Sequence, residues 1–502
     1  MNTKFSGTFT RIMNITIKSL LYVLLIRNLS EIVLALVGPV KNTILSRIDL
    51  NRVGFNKSSI LLLFIGIICI SIGYVILKTH ISKGKKLIII LIIGFILRIL
   101  WLLNIPSVPV SDFKLIYDTS INFLNGDRSM FQGTAYMSRF PHLTGMVLYM
   151  ALMNLLFPIK SLLAMKIINL FLGLLDIILI YLITDLIFKN KLYAQISAFI
   201  SAIFPPFITY TSVFCSENIA IPFYLLSIYL FIYYLRNKKN KSKLLMCGVI
   251  LSLGNFFRTI ATVVLIAYVL YIIIYSLDSI YERAKNILIL VISYLLITII
   301  ISATLQNFNV LERPLWDAKE PKITSVLKGS NYENAGRWNE EDANFINEHL
   351  DNYDELKEKS KEIIVHRFTS HSILKTIIFI LDKFTLQWTA GDFSGSMWAQ
   401  MNVPEEQIKF PIVENEPLEF QLIYTIILIL ICMGLNNRKM IKSIKEVNLL
   451  YLILGGYGIT YLIIEQQGRY SYICCYILIF LCIFGIDRVM QKYNCKSISK
   501  SK

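Results

Sequence analysis

"AMKIINLFLGLLDIILIYLITDLIFKN", Ala164 to Asn190, is an almost unbroken apolar run that stops at Lys189 and Lys191. A run of about 20 such residues spans the hydrocarbon core of a bilayer as a helix. In hydrocarbon the backbone must satisfy its own hydrogen bonds, and the run lacks the alternation of a barrel strand, so a helix is the workable choice. Comparable runs lie near Leu20 to Val40, Ser59 to Leu77, Leu87 to Ile105, Ala194 to Val213 and Ile219 to Leu235. Others follow near Leu244 to Phe257, Thr259 to Tyr275, Asn286 to Leu305, Gln421 to Leu435, Val447 to Ile464 and Ser471 to Ile486. The 502 residues are 55% hydrophobic, with mean hydropathy +0.60. These features predict an all-α polytopic membrane protein of roughly 11 to 13 crossings. The first run is the weakest, because Arg27 and Glu31 interrupt it and Lys41, Arg47 and Arg52 follow; an interfacial helix is the alternative there.

The eight cysteines lie mostly inside apolar runs, without the spacing of a zinc site or a disulfide framework. No short hydrophobic core with a small-residue cleavage site opens the chain, so the first spans are expected to serve as the insertion signal, with no separate soluble domain at either end.

The net charge of +17 is unevenly placed. Gln306 to Phe420 carries 20 Asp and Glu against 12 Lys and Arg, a net of −8, which leaves +25 on the rest. That excess sits in short clusters such as "RNKKNKSK" (Arg236 to Lys243), "NNRKMIKSIK" (Asn436 to Lys445) and "KTHISKGKK" (Lys78 to Lys86). Short basic loops mark the cytoplasmic side and touch lipid headgroups, which argues against a nucleic-acid partner. The bias predicts three parts. Residues 1–305 form a transmembrane module whose loop 106–141 is external, 306–420 is an external acidic cap with a juxtamembrane helix, and 421–502 holds the last helices and a basic cytoplasmic tail. His142 to Phe157 is short for a crossing and is expected to be re-entrant or juxtamembrane.

This topology collects the unusual residues at one membrane face: Asp112, "RFPH" (Arg139 to His142), "FPPF" with "CSEN" (Phe204 to Asn218), Arg258, and "EQQGRYSY" (Glu465 to Tyr472). Ionisable groups at membrane depth are costly and tend to line a cavity or pair with one another.

"SDFKLIYDTSINFLNGD" (Ser111 to Asp127), "RFPHLTGMVLYMALMNLLF" and the stretch from Ala164 through "FPPFITYTSVFCSEN" resemble the N-terminal half of GT-C membrane glycosyltransferases. The branch is that of bacterial relatives of protein O-mannosyltransferases and of the lipid A aminoarabinose transferase, glycosyltransferase family 39-like. The resemblance covers about Leu87 to Arg258; beyond it, "EQQGRYSY" is similar to the Glu and Arg-Tyr that precede the last span in many members. It implies a GT-C fold, a polyprenyl-phosphate-linked sugar donor and a catalytic role for the first-loop aspartate Asp112, while the charge bias places the site at the outward face of the cytoplasmic membrane. The acceptor would be a glycan, lipid or secreted protein.

Such a transfer needs a base for the acceptor hydroxyl and cationic help for the departing phosphate. Asp112 suits the first role, although "SDF" before "KLIYDTSINFL" also reads as a helix N-cap. Arg469, Arg258 and Arg139 offer guanidinium forks for the phosphate, with a snorkelling anchor as the alternative. His142 could donate to the phosphate or mark a loop end. Glu465, four residues before Arg469, would share a helical face and pair with it. Glu217, Glu465, Tyr470 and Tyr117 are candidate substrate contacts; Glu217 equally fits a helix N-terminal carboxylate and Tyr470 an aromatic belt.

No carboxylate or histidine cluster has convincing ligand spacing, so no cofactor is expected, with a divalent ion left open. In the acidic segment, Asn339 to Phe368 reads as one amphipathic helix with Phe345, Ile346, Leu350 and Leu356 on its apolar side. "HSILKTIIFILDKFTLQW" reads as a helix along the membrane, followed by a loop with Asp392 and Trp398 as acceptor contacts. A polymerase or ligase for lipid-linked polysaccharide shares the substrate type. A flippase or transporter would also have many spans, but paired halves are not visible, and a non-catalytic scaffold is the remotest alternative.

Overall fold

A computed structural model describes residues 3–37, 53–54, 57–237, 240–409 and 416–499. Lys41, Arg47 and Arg52, whose placement the first span left in question, lie outside them, as do Lys238 and Lys239 of the Arg236 cluster. Among the described residues the regular structure is helical apart from one short parallel pairing of Val53 with Glu416 and Gly54 with Pro417.

The helices run in chain order as α1 (Thr3–Val37), α2 (Lys57–Lys78), α3 (Lys83–Asn104), α4 (Ser111–Leu124), α5 (Tyr136–Arg139), α6 (Thr144–Leu156), α7 (Ser161–Phe188) and α8 (Lys191–Ile203). Next are α9 (Pro205–Thr209), α10 (Glu217–Arg236), α11 (Lys241–Phe257), α12 (Ala261–Tyr275) and α13 (Ile280–Asn307). The acidic segment contributes α14 (Ile323–Gly329), α15 (Glu340–Glu348), α16 (Tyr353–Thr369), α17 (Ile373–Trp388) and α18 (Gly395–Gln400). The chain closes with α19 (Leu418–Gly434), α20 (Arg438–Ser443), α21 (Val447–Ile463), α22 (Arg469–Tyr472) and α23 (Tyr476–Ser499).

Among the described residues six helices are long and apolar enough to cross a membrane: α1, α2, α3, α7, α10 and α13. The roughly 11 to 13 crossings read from hydropathy are therefore not all full-length helices, since several expected spans are shorter apolar helices, such as α12, α19 and α21. The run Ala194 to Val213 is broken: α8 and the α9 turn meet at 57°. Pro205 and Pro206 cause this, because proline cannot continue the helical ladder and pushes the preceding residue, Phe204 (ψ 120°), to extended backbone. The 13 residues of α6 rise about 20 Å, short of the ~30 Å core, and α6 packs along α4.

Charges inside α1 are reconciled within the helix. Arg27 Nε meets Glu31 Oε1 at 3.0 Å, one turn on, with the pair almost wholly buried. The centre of the bundle is α10, the most buried of these six helices and packed by α7 and α11, while α19 lies against α23 and α1. The α19–α23 approach depends on Gly485, where a Cβ would overlap the Leu430 carbonyl oxygen.

Asn339 to Phe368 is two helices rather than the single one expected. Asn339 caps α15 by accepting from Asp342 N at 2.8 Å, and Asn352 caps α16 by accepting from Glu355 N at 3.2 Å while donating to Glu355 Oε2 at 3.1 Å. That cap starts a new helix and breaks the earlier one. The apolar side is as expected: Ile346, Leu350 and Leu356 cluster with Leu327, and Phe345 packs against them.

Candidate active site

Four separate stretches of chain meet at one end of the bundle. The end of α3 is tied to the turn after α9: Trp101 Nε1 donates to Thr209 O and Ser212 Oγ, both at 3.0 Å, and Ser107 Oγ donates to Ser212 O at 2.7 Å. Tyr210 stacks on Tyr472 with centroids 3.8 Å apart and planes 7° from parallel, and Tyr472 donates to Asn218 Oδ1 at 2.9 Å. Ser471 Oγ donates to Gln387 O at 3.0 Å. These contacts fix the end of α3 and the loop that leads into α4, the turn after α9, the start of α10, the end of α17 and α22 against one another.

Asp112 lies in the first turn of α4, whose N-cap is Val110 and receives no side-chain cap bond. Its carboxylate does not cap the helix. It is exposed and accepts a hydrogen bond from the Tyr136 hydroxyl at 2.9 Å. The preceding Ser111 has φ 49°, in the left-handed region that a residue with a side chain rarely adopts. Burial, and then the Asp112 charge, push the Tyr136 phenol up, so it stays a donor.

Next to α4, Arg469 sits in an aromatic box. Its guanidinium carbon is 4.7 Å from the ring centroid of Phe113, 5.1 Å from Trp398 and 5.5 Å from Tyr470, distances at which a cation is attracted to each ring face. Arg258 lies over the other side of the cluster, 5.2 Å from the Tyr470 ring. Glu217 stands between the two arginines, with Oε1 3.4 Å from Arg258 Nη2 and 3.9 Å from Arg469 Nε. Neither Glu217 Oε1 nor Arg469 Nε has a hydrogen-bond partner among the described residues, and both are buried. Burial opposes both arginine charges, but Glu217 and the tyrosine neighbours outweigh it and raise their pKa values. His142 is beside Arg258; burial, then that charge, push its imidazole down to about 4, so it is neutral near pH 7.

Glu465 does not pair with Arg469, because residues 464–468 are not helical and i,i+4 geometry is lost. Its Oε2 is 3.7 Å from Lys328 Nζ, and Oε1 accepts from Tyr470 at 3.3 Å and from Gln467 at 3.2 Å. The loop is pinned to α14 and the turn after it, with Glu465 N donating to Ser325 O at 2.8 Å and Gln466 N to Gly336 O at 2.9 Å.

Asp112, His142, Glu217, Arg258, Glu465, Arg469 and Tyr470 thus belong to one linked cluster. Arg139 does not reach the two arginines: Nε and Nη2 donate to Glu320 Oε2 at 2.9 and 2.7 Å, and Nη1 to Asn347 Oδ1 at 3.0 Å. Tyr117 is engaged with Ser161 Oγ at 3.2 Å, where α4 meets α7. Asp392 is not an acceptor contact, because it is fully buried and accepts from Ser396 N at 2.7 Å in a turn whose Phe393 and Ser394 have φ 53° and 65°. Tyr136, Phe113 and Trp398 complete the cluster. The sequence carries one usable sign of Tyr136, its place one helical turn before Arg139. Among the described residues no group of three or more His, Cys, Asp or Glu side chains could hold a metal ion.

Residues 144–305 match the family described as dolichyl-phosphate-mannose-protein mannosyltransferase. No curated protein matches the chain. Among solved structures the chain is similar to the oligosaccharyltransferase of Archaeoglobus fulgidus in the apo form, at 14% identity over 84% of this chain and 52% of that one, with a TM-score of 0.49. The archaeal oligosaccharyltransferase AglB from Archaeoglobus fulgidus, in complex with an inhibitory peptide and a dolichol-phosphate, is similar at 13% identity over 84% and 52%, with a TM-score of 0.42. The chain spans about half the length of these structures. The family match overlaps the stretch that carries the sequence resemblance and bears out the likeness to GT-C membrane glycosyltransferases.

Proposed function

We propose that this multi-pass membrane protein transfers a sugar from a polyprenyl-phosphate donor to an acceptor hydroxyl at the external face of the cytoplasmic membrane. The observation that carries this is the convergence of an exposed carboxylate, Asp112, with two guanidinium groups, the buried Arg469 and the partly buried Arg258, drawn from distant parts of the chain. The family match over residues 144–305 supports glycosyl transfer as the reaction class.

In this account the acceptor oxygen attacks the anomeric carbon, the bond from that carbon to the phosphate oxygen breaks, and the acceptor proton passes to Asp112. Polyprenyl phosphate leaves with the bonding pair, and its growing charge is met by Arg469 and Arg258. Glu217 keeps both arginines charged and aimed, and one carboxylate against two guanidiniums leaves a net positive charge for the phosphate. The aromatic box of Phe113, Trp398 and Tyr470 excludes water, which strengthens that attraction. His142, neutral near pH 7, has an N–H to give to a phosphate oxygen. The division into a transmembrane module, a cap over 306–420 and a closing module belongs to the same proposal, with the cap meeting the acceptor.

The test is to incubate purified protein with polyprenyl-phosphate monosaccharides and measure polyprenyl phosphate released. Release with at least one sugar is expected. A protein that moves such lipids across vesicles without cleaving any of them is a flippase, and the proposal fails.

A further inference from the structure

Tyr136 and Arg139 occupy the two ends of α5, a helix of four residues. One end reaches Asp112 through the Tyr136 hydroxyl, at 2.9 Å. The other is held from the acidic segment: Glu320 Oε2 receives Arg139 Nε and Nη2 at 2.9 and 2.7 Å, and Asn347 Oδ1 receives Nη1 at 3.0 Å. The remaining Glu320 oxygen accepts from Thr324 Oγ1 at 2.6 Å, so the carboxylate is fully engaged. Its side chain is only 3% exposed and that of Arg139 17%, which separates this pair from the solvated surface pairs that contribute little.

The backbone around α5 is tied to the same segment. Lys319 N donates to Ser138 O at 3.0 Å, Gly133 N donates to Glu312 Oε2 at 3.1 Å, and Arg128 donates to Phe308 O. The loop from 128 to 139 therefore lies laced along 308–320. Asp112 has the opposite character: it is exposed at the start of a helix, behind a residue in left-handed backbone. Such a carboxylate has little to fix its rotamer except the Tyr136 hydroxyl.

We propose that the acidic segment sets the aim of Asp112 through this turn. Glu320 and Asn347 hold Arg139, Arg139 holds α5, and Tyr136 at its far end orients the carboxylate. Tyr136 is a positioning residue, and Arg139 and Glu320 act through it. The inference rests on Asp112 being the base, and it adds that the segment meeting the acceptor also controls whether the base is ready.

The experiment measures turnover and donor KM for release of polyprenyl phosphate from a polyprenyl-phosphate monosaccharide, with thermal midpoints in detergent as a control for folding. Tyr136→Phe removes one hydroxyl. Turnover is expected to fall about tenfold or more, the effect of one hydrogen bond to a charged group, with donor KM and the thermal midpoint near wild type. Glu320→Gln should act in the same direction, and the double variant should lose no more than the worse single one, because both act on one group. In an Asp112→Asn background, Tyr136→Phe should cost nothing further. Wild-type turnover in Tyr136→Phe alongside an inactive Asp112→Asn overturns the positioning role alone. An equal loss in both backgrounds also overturns it, since the hydroxyl then acts elsewhere. Wild-type turnover in Asp112→Asn itself defeats the base assignment on which the inference stands.

Discussion

Oε1 of Glu217 stands 3.9 Å from Nε of Arg469, and the same oxygen is 3.4 Å from Arg258. The carboxylate is 1% exposed, so it is the counter-ion that lets two cations sit together away from water. Removing it strands both. Glu217→Gln should destabilise the fold by the ~3–5 kcal/mol typical of breaking a buried ion pair, read as a lower thermal midpoint in detergent. Adding Arg258→Gln should recover part of the loss, because one stranded charge goes with it. An unchanged midpoint in the single variant would show that the arginines need no counter-ion.

Arg469 has an Nε without a hydrogen-bond partner among the described residues, inside an aromatic box. Arg469→Lys keeps a charge but loses the planar fork, and the stack on the rings weakens with it. Donor KM should rise in Arg469→Lys and rise further in Arg469→Ala. Wild-type donor KM in the alanine variant would reduce Arg469 to an anchor.

Lys383 gives a pH prediction. It is fully buried on α17, its Nζ donates to Gly329 O at 2.6 Å, and burial pushes it down from 10.5 to about 7, against the opposing pull of Glu465. The unfolded chain therefore holds more protons than the folded one between about pH 7 and 10, and stability rises with pH across that window. Below about 7 both states are protonated and the cost is fully present. The thermal midpoint should climb from pH 7 to 9, and Lys383→Met should flatten the climb. An identical slope in the variant would assign it to other groups.

The orientation is tested by labelling in a background without reactive native thiols. Single cysteines at Ser111 and Glu340, both exposed, should react with an impermeant maleimide in whole cells. One at Asn240, exposed in the basic loop between α10 and α11, should not. Reaction at 240 without reaction at 111 would invert the topology and move the site to the inner face.

Hydropathy made the helical membrane fold legible, because bilayer crossing imposes a length and composition that each apolar run declares by itself. It overstated the regularity of the spans: the proline pair at 205 and 206 breaks one run that hydropathy counts as continuous. The convergence of Asp112, Glu217, Arg258 and Arg469 could be anticipated only as a shared end of the bundle. Which carboxylate meets which arginine could not, since Glu465 is near Arg469 in sequence yet pairs with Lys328, while Glu217 comes from the far side of the chain. Periodicity assumes a helix through 465–469, and the chain is not helical until α22 begins. The N-cap asparagines Asn339 and Asn352 are present in the sequence, and they outweigh the amphipathic pattern that suggests one long helix. Arg139 looked like its fellow arginines by residue type alone; its partner Glu320 is a tertiary contact with no local signature.

The base assignment is tested most directly at Asp112. Asp112→Asn keeps the size of the side chain and an oxygen to accept from Tyr136, but cannot take a proton. Polyprenyl phosphate release from a polyprenyl-phosphate monosaccharide should fall by the ~10² to 10⁴ typical of removing a positioned base, with donor binding near wild type. Asp118→Asn, whose carboxylate pairs with Lys114 at 2.7 Å on the exposed side of α4, should release at close to the wild-type rate. Wild-type release by Asp112→Asn would contradict the account.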